Sequence, residues 1–194
     1  MSKCPWALSS PAEEYYHDTE WGMPVHDERL LFEFLILEGA QAGLSWATIL
    51  KKRAGYRQAF DQFDVQKIAG YNEQKQQALI SNPEIIRNKL KIKSAVTNAQ
   101  AFIKIQQEYG SFDRYIWSFV HGQTINNAWQ SMAQVPAVTA ESELMSRSLK
   151  KHGFKFVGST ICYAYMQAIG MVNDHLINCP RHQKILVVRG FSPP

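Results

Sequence analysis

Apolar residues recur along most of the chain at helical rather than strand spacing. In residues 29–38, RLLFEFLILE, Leu31, Phe34 and Leu35 share one face, and Glu38 falls one turn beyond them on that face. A turn is expected at GAQAGL, after which Ser45 is placed to cap a helix through WATILKKRAGYRQAF. Asp64 would cap VQKIAG, and Asn72 or Glu73 would open EQKQQALI. Pro83 is expected to open a long helix through EIIRNKLKIKSAVTNAQAFIKIQQEYG that stops near Gly110. SFDRYIWSFVHG reads as a shorter helix with an aromatic face, and residues 123–140 read as an irregular connection. ESELMSRSLKKHG then predicts a helix ending at Gly153, followed by a short turn, FKFVG, and a second helix, STICYAYMQAIG. Strand-like alternation of any length is confined to the tail, ILVV, and neither an internal repeat nor a low-complexity segment is present. The pattern predicts a mainly α chain, 1–194, folded as one compact unit.

Composition narrows the class. With 194 residues, 45% of them apolar, the chain can bury an ordinary core, which excludes a disordered tail and a fibrous repeat. No apolar run approaches the ~20 residues of a bilayer helix, so no membrane span is expected. The N-terminus carries no long apolar stretch after Lys3, hence no secretory signal, and a cytoplasmic location is the default expectation. Twenty-one basic against 17 acidic residues leave a net charge of +4, which permits an anionic partner without demanding one. Cys4, Cys162 and Cys179 are too few for a disulfide framework and point to thiols or metal ligands.

Four candidate ligands lie in two pairs at opposite ends of the chain, Cys4 with His17 and His175 with Cys179. If NDHLINC is helical, His175 and Cys179 share a face at i and i+4, and Pro180 would end that helix directly after the second ligand. Two thiolates and two neutral imidazoles would close a tetrahedral shell, which implies a structural rather than a catalytic ion. The spacing departs from finger motifs, so two buried thiols and two ordinary histidines is the alternative. Cys162 reads as a small core residue, and His26, His121, His152 and His182 have no partner at ligand spacing.

Glu38 stands where a core residue belongs, at the expected C-terminus of its helix, where the macrodipole disfavours negative charge. A buried carboxyl needs a cationic or donating partner, or it becomes neutral. That partner is either Lys51, Lys52 or Arg53, or a ligand bearing positive charge or N–H donors. Tyr15, Tyr16, Trp21 and Trp46, in short turn-rich segments, could supply faces on which a flat heterocycle stacks. In the 142–170 region, Gly153 and Gly158 would allow a tight turn between two helices, with Ser159 or Thr160 capping the second. Free N–H groups at such a helix start hold phosphate, and Lys150, Lys151 and Lys155 add counter-charge. Lys51–Lys52–Arg53 and RNKLKIK (87–93) could extend contact along a duplex. Gly43 permits a bend, and Leu44 at the loop tip could wedge into a base stack.

These residues carry a resemblance over nearly the whole chain, from about Cys4 to Cys179. CPW, YHDTEWG (16–22), LEGAQAGLSWATILKKR (37–53), IIRNKLKI, WSFV and SLKKHGFKFVGSTICYAYMQAIGMVNDH occur in one order. The chain resembles the 3-methyladenine DNA glycosylase I family of the helix–hairpin–helix glycosylase superfamily. The resemblance implies that Cys4, His17, His175 and Cys179 bind one structural Zn2+ tying the termini together. It implies that Glu38 and Tyr16 bind the edge of the excised base, that Trp46 stacks on its face, and that Trp21 walls the pocket, Glu38 being the catalytic candidate. Gly43 and Leu44 match the loop that approaches the damaged step. Gly153, Lys155, Gly158 and Ser159 match the DNA-anchoring hairpin. The expected partner is alkylated duplex DNA, the product free 3-methyladenine, and the protein a monomer.

Two departures stand out. Some members carry a pocket aromatic where this chain has Glu13, with Tyr15 as a possible substitute, and the tail after Pro180 fits no family pattern. Superfamily members with a catalytic aspartate place it two residues before a histidine; here that spacing gives Asn173, with Asp174 adjacent, so no catalytic aspartate is expected. Three rival functions are a non-catalytic DNA-binding module, a glycosylase–lyase, which needs a lysine nucleophile at the hairpin end, and a zinc deaminase, which four protein ligands would leave without a site for water.

Overall fold

The computed structural model describes residues 2–188, and its architecture is a set of α-helices gathered around one long buried helix. A 3-10 turn, Pro5–Ser9, leads into α1 (Pro11–Thr19), followed by α2 (Glu28–Gln41) and α3 (Trp46–Ala59). Two short helices, α4 (Val65–Ala69) and α5 (Glu73–Ser81), precede the longest, α6 (Lys89–Tyr109), and α7 (Phe112–Trp117). After an irregular stretch come α8 (Ala140–Lys151), α9 (Ser159–Ala168) and α10 (Pro180–Val188). Strands β1 (Ile125–Asn126) and β2 (Val172–Asn173) pair in parallel, Ile125 opposite Val172. No helix among the described residues is long and apolar enough to cross a membrane.

The central helix is α2. It is buried from Leu31 through Ala40 on every face, so the single stripe read from its sequence understates its burial. Asp27 caps its start by accepting a hydrogen bond from Leu30 N at 2.8 Å. Its end lies later than the sequence pattern implies: the helix runs through Gly39 and Ala40 to Gln41, which leaves Glu38 inside the last turn. Lys91 of α6 holds that end, its Nζ donating to Ala40 O and Ala42 O, both at 2.7 Å, where the orphan carbonyls of a helix terminus need donors. Ser45 caps α3 as expected, accepting from Thr48 N at 3.3 Å.

Four other expectations are corrected. Pro83 sits in a turn, and α6 starts only at Lys89, where Asn88 accepts from the N–H groups of Leu90 and Lys91 at 3.0 and 3.1 Å. Residues 174–179 are not helical, and Pro180 opens α10 instead of ending a helix, as suits a proline at a first helical position. The ILVV segment continues α10 rather than forming a strand; residues 189–194 of the tail lie outside the described residues. Between α8 and α9, Gly153 takes a left-handed φ of +94°, as expected, but Gly158 has φ −63° and is itself the N-cap of α9. Ser159 and Thr160 are therefore inside the helix rather than capping it. Gly158 has no side chain to cap α9, and no side-chain cap hydrogen bond is made there among the described residues.

Candidate active site

Two carboxylates of α2 are buried, and their surroundings differ completely. Glu33 accepts from Arg53 Nε at 2.6 Å and from Arg57 Nη2 at 2.8 Å. Arg53 is itself shared, its Nη1 donating to both oxygens of Glu20 at 2.9 and 2.7 Å. The arginine that could have neutralised Glu38 is thus spent on Glu33 and Glu20. Lys52 donates to Pro83 O at 2.6 Å, so it does not serve Glu38 either. Glu38 is 4% exposed and has no hydrogen-bond or ionic partner among the described residues. Burial alone pushes its carboxyl up to about 8, so the group carries a proton at neutral pH until something cationic or donating arrives.

Glu38 faces a cleft of about 250 Å³ walled by Tyr16, Trp21 and Trp46, so four residues singled out from sequence meet in one place. Trp46 and Tyr16 lie with ring centroids 5.3 Å apart at 49°, and Trp6 packs edge-on to Trp21 at 4.9 Å. The Tyr16 hydroxyl and Trp46 Nε1 are both buried without a hydrogen-bond partner. Unsatisfied donors beside a neutral acid and aromatic faces are what a planar, hydrogen-bonding heterocycle would complete. Tyr15 does not substitute for a missing aromatic: it is 67% exposed and lies off the cleft. Glu13 is part of the α1 cap, its Oε2 accepting from Ser10 Oγ at 2.9 Å.

Sequence reasoning missed Trp6, Gln41, Met132, Ala164 and Gln167, which complete the lining. Trp6 stands in the CPW string beside a candidate ligand. Gln167 is the one long polar side chain in an otherwise apolar helix, and that was its available signal. A second hollow of about 210 Å³ shares Glu38, Gln41 and Ala164 with the first and opens on Gly43, Leu44 and Thr160. Gly43 adopts φ +79°, which the bend requires, and Leu44 stands 41% exposed at the loop tip. The path from the deep acid thus leads outward to the loop and to the open start of α9.

The turn carrying Lys155 is held from behind. Asn98 of α6 accepts from Lys155 N at 2.8 Å and donates to Lys155 O at 3.0 Å, while the Lys155 side chain is exposed. Lys93 borders the same groove as Lys155. In the two further basic stretches, Arg53, Lys52 and Lys91 make hydrogen bonds within the chain, whereas Lys93 is exposed.

Cys4, His17, His175 and Cys179 converge at full burial, with ligand atoms all within 4.8 Å of one another. His17 Nε2 lies 3.1 Å from His175 Nδ1 and 3.4 Å from Cys179 Sγ, and Cys179 Sγ and Cys4 Sγ lie 3.7 and 3.8 Å from His175 Nδ1. A tetrahedral ion with N and S bonds of about 2.0 and 2.3 Å separates its ligand atoms by roughly 3.3–3.8 Å, so this set could hold a metal. The outer shell suits it as well: His17 Nδ1 meets Asp18 Oδ1 at 2.8 Å and His175 Nε2 meets Trp21 O at 3.0 Å. Burial lowers both imidazoles, His175 to about 3, leaving neutral rings with a lone pair to offer. Cys162 lies apart in the core.

The chain belongs to the methyladenine glycosylase family, whose sequence model matches residues 6–182. It is 45% identical over 179 residues to DNA-3-methyladenine glycosylase 1 of Escherichia coli (strain K12), covering 92% of this chain and 96% of that protein. A crystal structure of 3-methyladenine DNA glycosylase I is 46% identical, with a TM-score of 0.90 over 92% of this chain and 98% of that one. Another 3-methyladenine DNA glycosylase I, a point variant crystallised in complex with 3-methyladenine, is 36% identical with a TM-score of 0.90 over 93% and 97% of the two chains.

Proposed function

We propose that this protein excises N3-methyladenine from alkylated duplex DNA by hydrolysing its N-glycosidic bond, leaving an abasic site and free 3-methyladenine. The observation that carries this reading is Glu38, a buried acid without a partner, set among aromatic faces and unsatisfied donors. N3-methylation makes the adenine cationic, so the base leaves as a neutral molecule and needs little acid assistance. Glu38 ionises against that cation, accepts from the edge of the base, and stabilises positive charge as the bond breaks. Tyr16 fills its open hydrogen bond on the same edge, Trp46 stacks on the face, and Trp21 closes the wall.

The damaged nucleotide must leave the stack at a cost of a few kcal/mol. Leu44, on the bend that Gly43 permits, takes the place it vacates. The α8–turn–α9 unit acts as a helix–hairpin–helix element, in which the uncapped start of α9 at Gly158 and Ser159, with Gly153 and Lys155, holds backbone phosphate. Cys4, His17, His175 and Cys179 would hold one Zn2+, which supplies structural closure and no chemistry on the base. The chain acts as a single domain and a monomer. Among the described residues no lysine lines either hollow, which favours a reaction that stops at the abasic site without nicking the strand.

The test is base release from methylated duplex DNA by wild type, Glu38→Ala and Glu38→Gln. Wild type is expected to free 3-methyladenine and leave 7-methylguanine, with sharp loss in both variants. Duplex binding without base release would refute the reading and leave a DNA-binding module in its place.

A further inference from the structure

Asp174 is a buried acid that this reaction does not use. It is 1% exposed, and its two oxygens are fully engaged. Asn127 Nδ2 and Trp129 Nε1 donate to Oδ1, both at 2.7 Å, while the Tyr163 hydroxyl and Gln167 Nε2 donate to Oδ2 at 2.6 and 2.8 Å. Four donors fill the roughly four lone-pair sites of a carboxylate, which leaves none to activate water. Asp174 is placed to orient its donors instead.

One of those donors lines the base cleft. The two ends of a glutamine amide are told apart by what they face, and a carboxylate can only accept. The end of Gln167 toward Asp174 is therefore the NH2 group, and the carbonyl Oε1 is turned away from it. Gln167 borders the same cleft as Glu38, and Oε1 has no hydrogen-bond partner among the described residues. Of all the cleft's polar side chains, this one has its orientation fixed from outside the cleft.

We propose that Gln167 is a specificity-determining residue, and Asp174 its positioning residue. Oε1 of Gln167 accepts a hydrogen bond from the exocyclic amino group of the extruded adenine and opposes the carbonyl that guanine carries at the same ring position. An amino group has two N–H donors, enough for Glu38 and Gln167 together. A guanine carbonyl has only lone pairs, and it would meet the lone pairs of Oε1 on an amide that Asp174 keeps from turning its NH2 group round. This inference rests on the base-excision reading above and adds to it the origin of the choice between adenine and guanine.

The experiment measures release of 3-methyladenine and 3-methylguanine from the same methylated duplex by wild type, Gln167→Met and Asp174→Asn. Methionine keeps the length and volume of glutamine but removes the acceptor. One lost hydrogen bond corresponds to about a tenfold fall in 3-methyladenine excision, with 3-methylguanine unchanged or raised, so the ratio falls by about tenfold or more. Asp174→Asn can present either amide end to Gln167, so it is expected to lower the same ratio with Gln167 intact. That variant carries the test if Gln167→Met does not fold. An unchanged ratio, or an equal loss on both bases, overturns the assignment. Failure of wild type to release any 3-methyladenine would instead overturn the function on which it rests.

Discussion

Replacing Glu38 with glutamine should make the protein more stable as the pH rises, even as it destroys the site. The ordinary carboxyl value is 4.5 and the buried one about 8, with burial as the only cause. The folded state thus holds a proton that the unfolded chain releases between these two values. Stability from this group is present below pH 4.5, is lost as pH climbs toward 8, and is flat beyond. Each unit in that window removes about 1.4 kcal/mol, or roughly 5 kcal/mol in all as an upper figure. Glutamine does not titrate, so its own fixed cost or gain is independent of pH. The stability gap between Glu38→Gln and wild type is therefore expected to widen by about 4 kcal/mol from pH 5 to pH 9 in favour of the variant. Urea unfolding of both proteins, prepared alike, across that range measures the gap directly. Other titrating groups, including those near the metal ligands, cancel in the difference. A gap constant to within about 1 kcal/mol would refute the reasoning and mean that Glu38 has a charge partner in solution.

Arg53→Ala strands Glu33 as a buried, less compensated carboxylate and should cost about 3–5 kcal/mol in denaturant unfolding, whereas exposed Lys51→Ala should fall within about 0.5 kcal/mol. The metal cluster should yield one zinc per chain by elemental analysis; Cys179→Ser should lose it, and a strong chelator should lower the melting temperature of wild type. Asn98→Ala removes both clasps on Lys155 and should weaken duplex binding several-fold, while binding of free 3-methyladenine, read from tryptophan fluorescence, stays unchanged.

The helical class was legible because α3, α8 and α9 carry both periodicity and punctuation in their own residues. Asn88 shows where that reading stops: it and Pro83 are both credible helix openers, and only the tertiary path of the segment between them selects Asn88. Glu38 stood out as a polar residue at an apolar position. Glu33, more deeply buried, does not, because it lies off the apolar stripe of Leu31, Phe34 and Leu35 on a helix that is buried all round. Arg53 reads from sequence both as a counter-ion for Glu38 and as a phosphate contact, and it is an internal counter-ion, though to Glu33 and Glu20. The His175–Cys179 pair was suspected for an unsuitable reason, a helix that does not form; the convergence comes from a turn between β2 and α10. Gln167 carries a sequence signal as a long polar side chain in α9, but its role depends on the orientation of an amide, which Asp174 sets through packing across the fold.

A cluster drawn from Cys4, His17, His175 and Cys179 makes the chain, in effect, circular. An ion held there would close a loop of about 175 residues, whose loss of freedom in the unfolded state is worth about 5 kcal/mol on a cross-link model. The order of synthesis gives that circle a direction. Cys4 leaves the ribosome early and Cys179 late, so the amino-terminal arm that carries Trp6, Tyr16 and Trp21 is first held by α2 and α3, through Glu20–Arg53 and Tyr16–Trp46, and gains its second anchor when His175 and Cys179 arrive. An ion at the cluster would then lock the amino-terminal wall of the cleft against the far end of the chain as the last of these contacts to form.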